Sequence, residues 1–396
     1  MTQYQTPGTP PRLRVAMVGH AFMGAAHSQA WRTAPRFFDL ALAPEMTLIV
    51  GRDRARAAEA ADRLGWADSA TDWRRVIERD DIDLIDICTP GDTHAEIAIA
   101  ALEAGKHVLC EKPLANTVAE AETMAAAAEQ ASAHGIRAMV GFTYRRVPAI
   151  ALARQLVAEG RLGDIRHVRA QYLQDWIADP EAPLSWRLDK TLAGSGALGD
   201  IGAHVIDLTQ FITGDRISEV SGRLETFVKE RPIAADHSGL SGTAGIERGP
   251  VTVDDAASFL ATFASGAMGV FEATRFATGR KNAIRIELNG SLGSLAFDFE
   301  DMNVLEFYDA TEPAETAGFR RIIATEPTHP YTAAWWPPGH GLGYEHAFTH
   351  QVVDLVTAIA DRADPAPSFA DGLQVQRVLG AVELSSDSRS WQAIAP

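Results

Sequence analysis

RLRVAMVGHAFMGAAH, residues Arg12–His27, decides the fold. An apolar run of strand length, Val15–Val18, leads straight into a glycine-bounded turn, Gly19–Gly24. A segment of helical period follows, beginning at Ala25-Ala26-His27. A glycine directly after a first strand permits a tight turn. The helix start behind it (Phe22, Met23, Gly24) offers free N–H groups and a positive dipole end to a pyrophosphate. The turn, GHAFMG, departs from G-x-G-x-x-G because Ala21 stands where a second glycine would allow the closest backbone approach.

From Leu13 to Gly141 the same grammar repeats. Apolar runs at Val15–Val18, Met46–Val50, Leu84–Cys88, Val108–Cys110 and Ala138–Val140 alternate with longer segments of helical period. Runs without strict polar alternation suit strands covered on both faces, so the pattern predicts an α/β doubly wound parallel sheet over residues 12–147. Thr117 with Glu120 three positions on is a capping box for an Ala-rich helix closed by Gly135. Residues 1–11, with Pro7, Pro10 and Pro11, read as a loose tail. Over 148–396 the signals become α+β, with an open, mostly antiparallel sheet. Phe259–Ala264 and Ala267–Thr274 flank Ser265-Gly266, while Ile284–Leu288 and Leu295–Phe299 flank a turn at Asn289-Gly290. Two helices close the chain. One carries Phe348, Val352, Leu355, Val356 and Ile359 on a single face, and the other runs from about Asp371 to Ser388. Pro327–Gly343 reads as a long surface loop bordering a site.

At 396 residues the chain is long enough for two or three domains. Fifty-two acidic residues against 36 basic give a net charge of -16, which disfavours nucleic acid and anionic lipid as partners. No apolar run approaches the roughly 18 to 20 residues of a membrane span, and the N-terminus has no apolar leader core. Two cysteines, Cys88 and Cys110, each end an apolar run and read as reduced buried thiols, so the expected location is cytoplasmic.

Three further segments supply chemistry. The second strand ends at Gly51-Arg52-Asp53, where an acidic residue would accept the ribose 2′-OH of NAD. Here Gly51 clears space and Arg52 supplies a cation suited to a 2′-phosphate. The expected cofactor is therefore NAD(P), with NADP favoured; the alternative is Asp53 turning back onto an unphosphorylated ribose. Glu111-Lys112-Pro113 follows another strand end, where open α/β sheets hold ligands. Proline restricts Lys112 to extended backbone and makes a cis peptide possible. Gly194–Leu208 (GSGALGDIGAHVIDL) is a glycine-rich turn becoming a helix. At about 100° per residue Asp200, His204 and Asp207 share a stripe about 60° wide, so that Asp200 can orient and charge the His204 imidazole. His346 and His350 have metal-like spacing without a ligand-rich partner segment, and no metal is assigned.

Taken with TPGDTH (Thr89–His94), GKHVLCEKPLA (Gly105–Ala115), GFTYRR (Gly141–Arg146) and GALGDIGAH (Gly196–His204), the sequence resembles the Gfo/Idh/MocA family (glucose-fructose oxidoreductase, inositol dehydrogenase, rhizopine catabolism) over nearly its whole length. The resemblance implies an N-terminal Rossmann domain and a C-terminal sheet that mediates homodimer or homotetramer contacts. It also implies catalytic roles for Lys112, Asp200 and His204. Cofactor contacts fall to Gly19, Ala21, Phe22, Met23, Gly24, Arg52, Thr89, Pro90, His94, Glu111 and Arg145; Gly91 replaces the family's asparagine. QYLQDW (Gln171–Trp176) and PLSWR (Pro183–Arg187) are similar to the levoglucosan dehydrogenase and sugar 3-dehydrogenase branch. They suggest a carbohydrate site of Tyr144, Gln174, Asp175, Trp176, Trp186 and Arg187.

The function this implies is oxidation of a secondary hydroxyl on a sugar, anhydrosugar or cyclitol by hydride transfer to a nicotinamide. His204 would take the proton and Lys112 steady the alkoxide. Mildly alkaline pH is expected to favour it by keeping the base unprotonated. Two rivals share the fold: a redox-neutral glycosidase that holds NAD, and a non-catalytic nucleotide sensor.

Overall fold

The computed structural model describes residues 10–238 and 241–395, so most of the proline-bearing tail lies outside the described residues. Strands β1 (Arg12–Val18), β2 (Ala43–Val50), β3 (Asp68–Ala70), β4 (Leu84–Ile87), β5 (His107–Cys110) and β6 (Ala138–Val140) form a parallel sheet in the order β3-β2-β1-β4-β5-β6. Helices α1 (Phe22–Phe37), α2 (Arg54–Leu64), α3 (Trp73–Ile77), α4 (His94–Glu103), α5 (Val118–Ser132) and α6 (Pro148–Ala158) follow in chain order. Chain order reverses between β1 and β4, which opens a crevice at the carboxyl ends of these strands.

Each of the five expected strands is present, and β3 is an addition too short and polar for periodicity to detect. Thr117 and Glu120 form the reciprocal cap of α5. Helix α1 begins at Phe22, three residues earlier than expected, because Ala21 adopts extended backbone and so ends the turn.

The second sheet contains β7 (Ile165–Leu173), β8 (Ile217–Glu225), β11 (Ala256–Phe263), β12 (Met268–Thr274), β13 (Ala283–Gly290), β14 (Gly293–Asp298), β15 (Val304–Asp309), β16 (Arg320–Ile323) and β17 (Gln392–Ala393). Their order is β16-β15-β14-β13-β7-β12-β11-β8-β17. A separate ladder pairs β9 (Glu230–Ser238) with β10 (Ser241–Pro250). Only β7 and β12 pair in parallel within the large sheet, so it is mixed but mostly antiparallel. The β11–β12 turn lies at Ser265-Gly266, with Gly266 at φ +91. The β13–β14 turn differs from expectation. Asn289 and Gly290 stay in the strand, and the chain reverses at Ser291-Leu292, where Ser291 donates its N–H to Asp164 O at 3.0 Å.

Helices α7 (Lys190–Ala193), α8 (Ala203–Thr213), α9 (Tyr344–Asp361) and α10 (Phe369–Ser388) complete the chain. Helix α9 returns from the second half of the chain to the first sheet. The apolar face of α9 packs against α1 and the first sheet, where Phe348, Val352, Leu355 and Val356 share a core with Val15, Met17 and Trp31. Alternate residues of β1 point to opposite faces, so Ala16 and Val18 enter the other, larger core. The loop before α9 packs over the far end of α1, with Trp335 against Phe37 and Phe38. Leu355 is fully buried. Leu355→Ala is therefore expected to lower unfolding free energy by about 2–5 kcal/mol in urea titration, and a loss below about 1 kcal/mol would show that α9 does not stabilise the first core.

Candidate active site

The glycine turn is shaped as a cradle. Gly19 sits at φ +101, and a Cβ there would lie 2.7 Å from Cys88 O, so the chain closes against the end of β4 only with glycine. A Cβ at Gly24 would overlap the Gly19 carbonyl. Ala21 caps α1 without a side-chain hydrogen bond, which leaves the first-turn N–H groups of Phe22, Met23 and Gly24 to a ligand. This geometry fits a dinucleotide pyrophosphate. Thr89 and Pro90 lie just past β4 on the same crevice edge.

At the ribose end the structure amends the expectation. Gly51 gives its space to the His20 ring rather than to open room for a phosphate. Asp53 caps α2 by accepting from Arg56 N at 2.9 Å, which also lowers its pKa. Arg52 is exposed and has no protein partner among the described residues. Where Gly91 replaces the motif's asparagine, the Asn116 carboxamide fills the space a side chain would take.

Three residues expected at the cofactor turn inward instead. Glu111 is buried and accepts from His27 Nε2 at 2.9 Å. His94 bridges two loop carbonyls, with Nδ1 3.0 Å from Pro113 O and Nε2 2.9 Å from Thr89 O. Arg145 is bidentate to Asp207, with Nε and the terminal nitrogen 2.8 and 2.5 Å from the carboxylate oxygens. Burial pushes the Asp207 pKa up and Arg145 counters it. Each is tied to the protein framework on its inward side, and each thereby positions a loop or helix at the crevice edge.

The crevice centre is assembled from both sheets. Lys112, in a cis Lys112-Pro113 segment after β5, extends its ammonium to Asp200 O at 2.7 Å and to Asp200 Oδ1 at 3.4 Å. Asp200 lies in a single π-helical turn, Leu198–Gly202, which merges into α8. Asp200 and His204 remain close enough for each to act on the other's ionisation, but no hydrogen bond joins the two among the described residues. Asp200 faces cations instead. Burial works against its ionisation, but Lys112, Arg275 and Arg187 outweigh it and lower its pKa to about 2. Arg275, which no motif marked, is 1% exposed in its side chain and stands 3.5 Å from Asp200 Oδ2.

His204 is buried, with its ring 4.6 Å from Tyr144, 5.8 Å from Tyr172 and 6.2 Å from Phe142. Its nitrogens have no protein hydrogen-bond partner among the described residues. Burial and the Lys112 charge hold its pKa well below the ordinary histidine value despite Asp200. Beside it runs a chain of neutral hydrogen bonds: Tyr144 Oη to Tyr172 Oη at 2.9 Å, and Tyr172 donating to Asn282 Oδ1 at 2.6 Å. Gln174 joins it by donating to Asn282 at 2.9 Å, and its carbonyl accepts from Trp176 at 3.0 Å. Tyr172 and Asn282 escape sequence reading, since Tyr172 sits unmarked within QYLQDW and Asn282 in no motif.

At the outer edge Trp176 is exposed beneath Arg275, 5.6 Å away, and Arg187 lies 4.4 Å over the Trp186 ring. Asp175, expected to bind hydroxyls, is held by Lys281 Nζ at 2.8 Å and Gly279 N at 2.9 Å, contacts that lower its pKa. It organises a loop.

A cradle for a dinucleotide, an ammonium and a neutral imidazole beside one carboxylate agree with comparison to known proteins. The family described as oxidoreductase, NAD-binding Rossmann fold, matches residues 13–142, and the GFO/IDH/MocA C-terminal domain matches residues 150–296. Levoglucosan dehydrogenase of Pseudarthrobacter phenanthrenivorans is 45% identical over 384 residues, 96% of this chain and 97% of that protein. An oxidoreductase domain protein from Kribbella flavida superposes with a TM-score of 0.94 at 75% identity, covering 98% and 100% of the two chains. A levoglucosan dehydrogenase in complex with NADH and levoglucosan gives a TM-score of 0.91 at 43% identity, covering 97% and 100%. The chain belongs to the GFO/IDH/MocA family of NAD-binding oxidoreductases.

Proposed function

We propose that this protein is a nicotinamide-dependent dehydrogenase that oxidises a secondary hydroxyl of a sugar, anhydrosugar or cyclitol. The observation that carries the reading is His204: a buried, neutral imidazole without a protein partner, open to a substrate proton beside an ammonium. A bound nicotinamide dinucleotide supplies the hydride acceptor, and the Gly19–Gly24 turn with Thr89 and Pro90 would hold it.

The chain's own residues do the rest. A ring nitrogen of His204 accepts the hydroxyl proton, and Lys112 Nζ donates a hydrogen bond to the oxygen as it gains negative charge. Asp200 steadies Lys112 and keeps a negative charge near the imidazolium that forms. Its role toward His204 is thus electrostatic, without the direct hydrogen bond that helical spacing suggested. Trp176 and Trp186 offer flat apolar surfaces for a sugar face, Arg187 offers donors, and Gln174 positions Trp176 through the hydrogen bond it accepts from the indole. Relatives named for levoglucosan support the carbohydrate class, and their NADH complexes weigh toward NAD over NADP. The buried free thiols Cys88 and Cys110 suit a reducing, cytoplasmic setting.

The test is a panel of monosaccharides, anhydrosugars, glycosides and inositols with NAD and NADP in parallel, read as net growth of reduced-cofactor absorbance. Aglycone release without that growth would favour the glycosidase. Lys112→Ala and His204→Asn are expected to cut kcat by at least about a hundredfold while NADH binding persists; retention of turnover in either removes its assigned role. Because the His204 pKa lies below its ordinary value, the alkaline preference expected from an ordinary histidine does not follow, and the contribution of His204 to the pH dependence should fall below the neutral range. The kcat/KM profile is expected to pass through about pH 6.5 without a histidine inflection, and a clear break there would contradict a neutral base.

We further propose that the open face of the second sheet joins copies of the chain. Leu260, Met268 and Val270 are 44%, 53% and 40% exposed, and Leu260 and Val270 are directly cross-strand. Val270→Arg is expected to convert a homo-oligomer to single chains by light scattering; an unchanged mass would place the interface elsewhere.

A further inference from the structure

His27 lies on α1, three residues beyond the glycine turn, and is 1% exposed. Both ring nitrogens face carboxylates: Nδ1 is 2.9 and 3.0 Å from the Asp86 oxygens, and Nε2 is 2.9 Å from Glu111 Oε1. A neutral imidazole has one N–H and one lone pair, and a lone pair set against a carboxylate oxygen in a buried site is strongly unfavourable. The arrangement calls for two N–H donors. Burial opposes the charge this implies, but Asp86 outweighs it and holds the His27 pKa well above the ordinary value.

The rest of the cluster fixes both acceptors. Asp86 also accepts from Trp31 Nε1 at 2.7 Å and faces the Cys88 thiol at 3.6 Å, and the Phe348 ring of α9 covers His27 with centroids 5.5 Å apart. On the other side Glu111 Oε2 accepts the backbone N–H of Lys112 at 3.2 Å. Gly141 backs the same carboxylate so closely that a Cβ there would stand 2.7 Å from Glu111 Oε1. A continuous path thus runs from the cradle helix through His27 and Glu111 to the backbone that launches Lys112 toward Asp200.

We propose that His27 is a positioning residue for the reaction, a two-donor bridge that ties the dinucleotide-cradle helix to Glu111 and so fixes the segment from which Lys112 acts. The proposal rests on the role given to Lys112 above. It makes the seating of a dinucleotide on α1 and the aim of the ammonium parts of one rigid unit, since neither loop can shift without breaking a buried charge-assisted hydrogen bond.

The test separates the two halves of the bridge. In His27→Asn the amide N–H falls near Nδ1 and retains the Asp86 bond only; in His27→Gln it falls near Nε2 and retains the Glu111 bond only. Both variants are assayed as purified holoenzyme with the best sugar of the panel, with Lys112→Ala alongside. His27→Asn is expected to show kcat at least tenfold below His27→Gln, at NADH affinities within threefold of each other. Equal kcat values would overturn the positioning role, because a purely structural histidine has no reason to distinguish them. If Lys112→Ala keeps full turnover, the reading of the active site fails instead. Should either variant fail to fold, wild-type holoenzyme labelled with 15N-histidine decides. Two N–H-type nitrogens on His27 at pH 8.5 are expected, and one pyridine-type nitrogen would sink the proposal.

Discussion

The hydrogen bond from Lys112 Nζ to the Asp200 carbonyl, 2.7 Å long, joins residues 88 apart in the chain, one just past β5 and one in the π turn before α8. The crevice lies between these two segments. On one side a parallel sheet in 3-2-1-4-5-6 order presents the carboxyl ends of β1, β4 and β5. On the other a π turn leads into α8. The π turn holds Asp200 at the start of α8, where its carboxylate meets Lys112 and Arg275.

Charge in the crevice is arranged so that ionisation states differ sharply over a short span. Asp200 stays ionised because Lys112, Arg275 and Arg187 surround it, with about a third of its side chain still exposed. His204 stays neutral because burial in an aromatic cage and the Lys112 charge both disfavour its protonation. A neutral acceptor next to a permanent cation is what removal of a hydroxyl proton requires, and water-poor surroundings strengthen both interactions. Helix α9 contributes at a distance. It completes the first core, and through Phe348 it seals the buried His27 cluster beneath the cradle.

Much of this is legible in the sequence, for physical reasons. Buried parallel strands announce themselves as apolar runs, the Thr117–Glu120 cap is a local hydrogen-bond pattern, and a glycine directly after a first strand marks a turn that only a residue without Cβ can make. What escapes depends on non-local geometry. Asn289-Gly290 looks like a turn, yet β7 pairs with those residues and keeps them extended, moving the reversal to Ser291-Leu292. The apolar face of α9 is plain from its periodicity, but nothing in that periodicity says that it packs on the first sheet. Arg275 and Asn282 carry no local pattern at all; only folding of the second sheet brings them to the site.

Neighbouring motif residues divide between the crevice and the framework. In non-helical segments adjacent side chains point to opposite sides, so a polar pair at a strand end sends one member into the crevice and the other into the protein. Glu111 and Lys112 divide in this way, the first buried against His27 and the second reaching Asp200. Tyr144 and Arg145 divide for a different reason, since in the 3-10 turn Thr143–Arg146 successive side chains point about 120° apart, one ring against His204 and one guanidinium on Asp207. Half of each pair is framework, buried and hydrogen-bonded, and its work is to make the other half's direction unique.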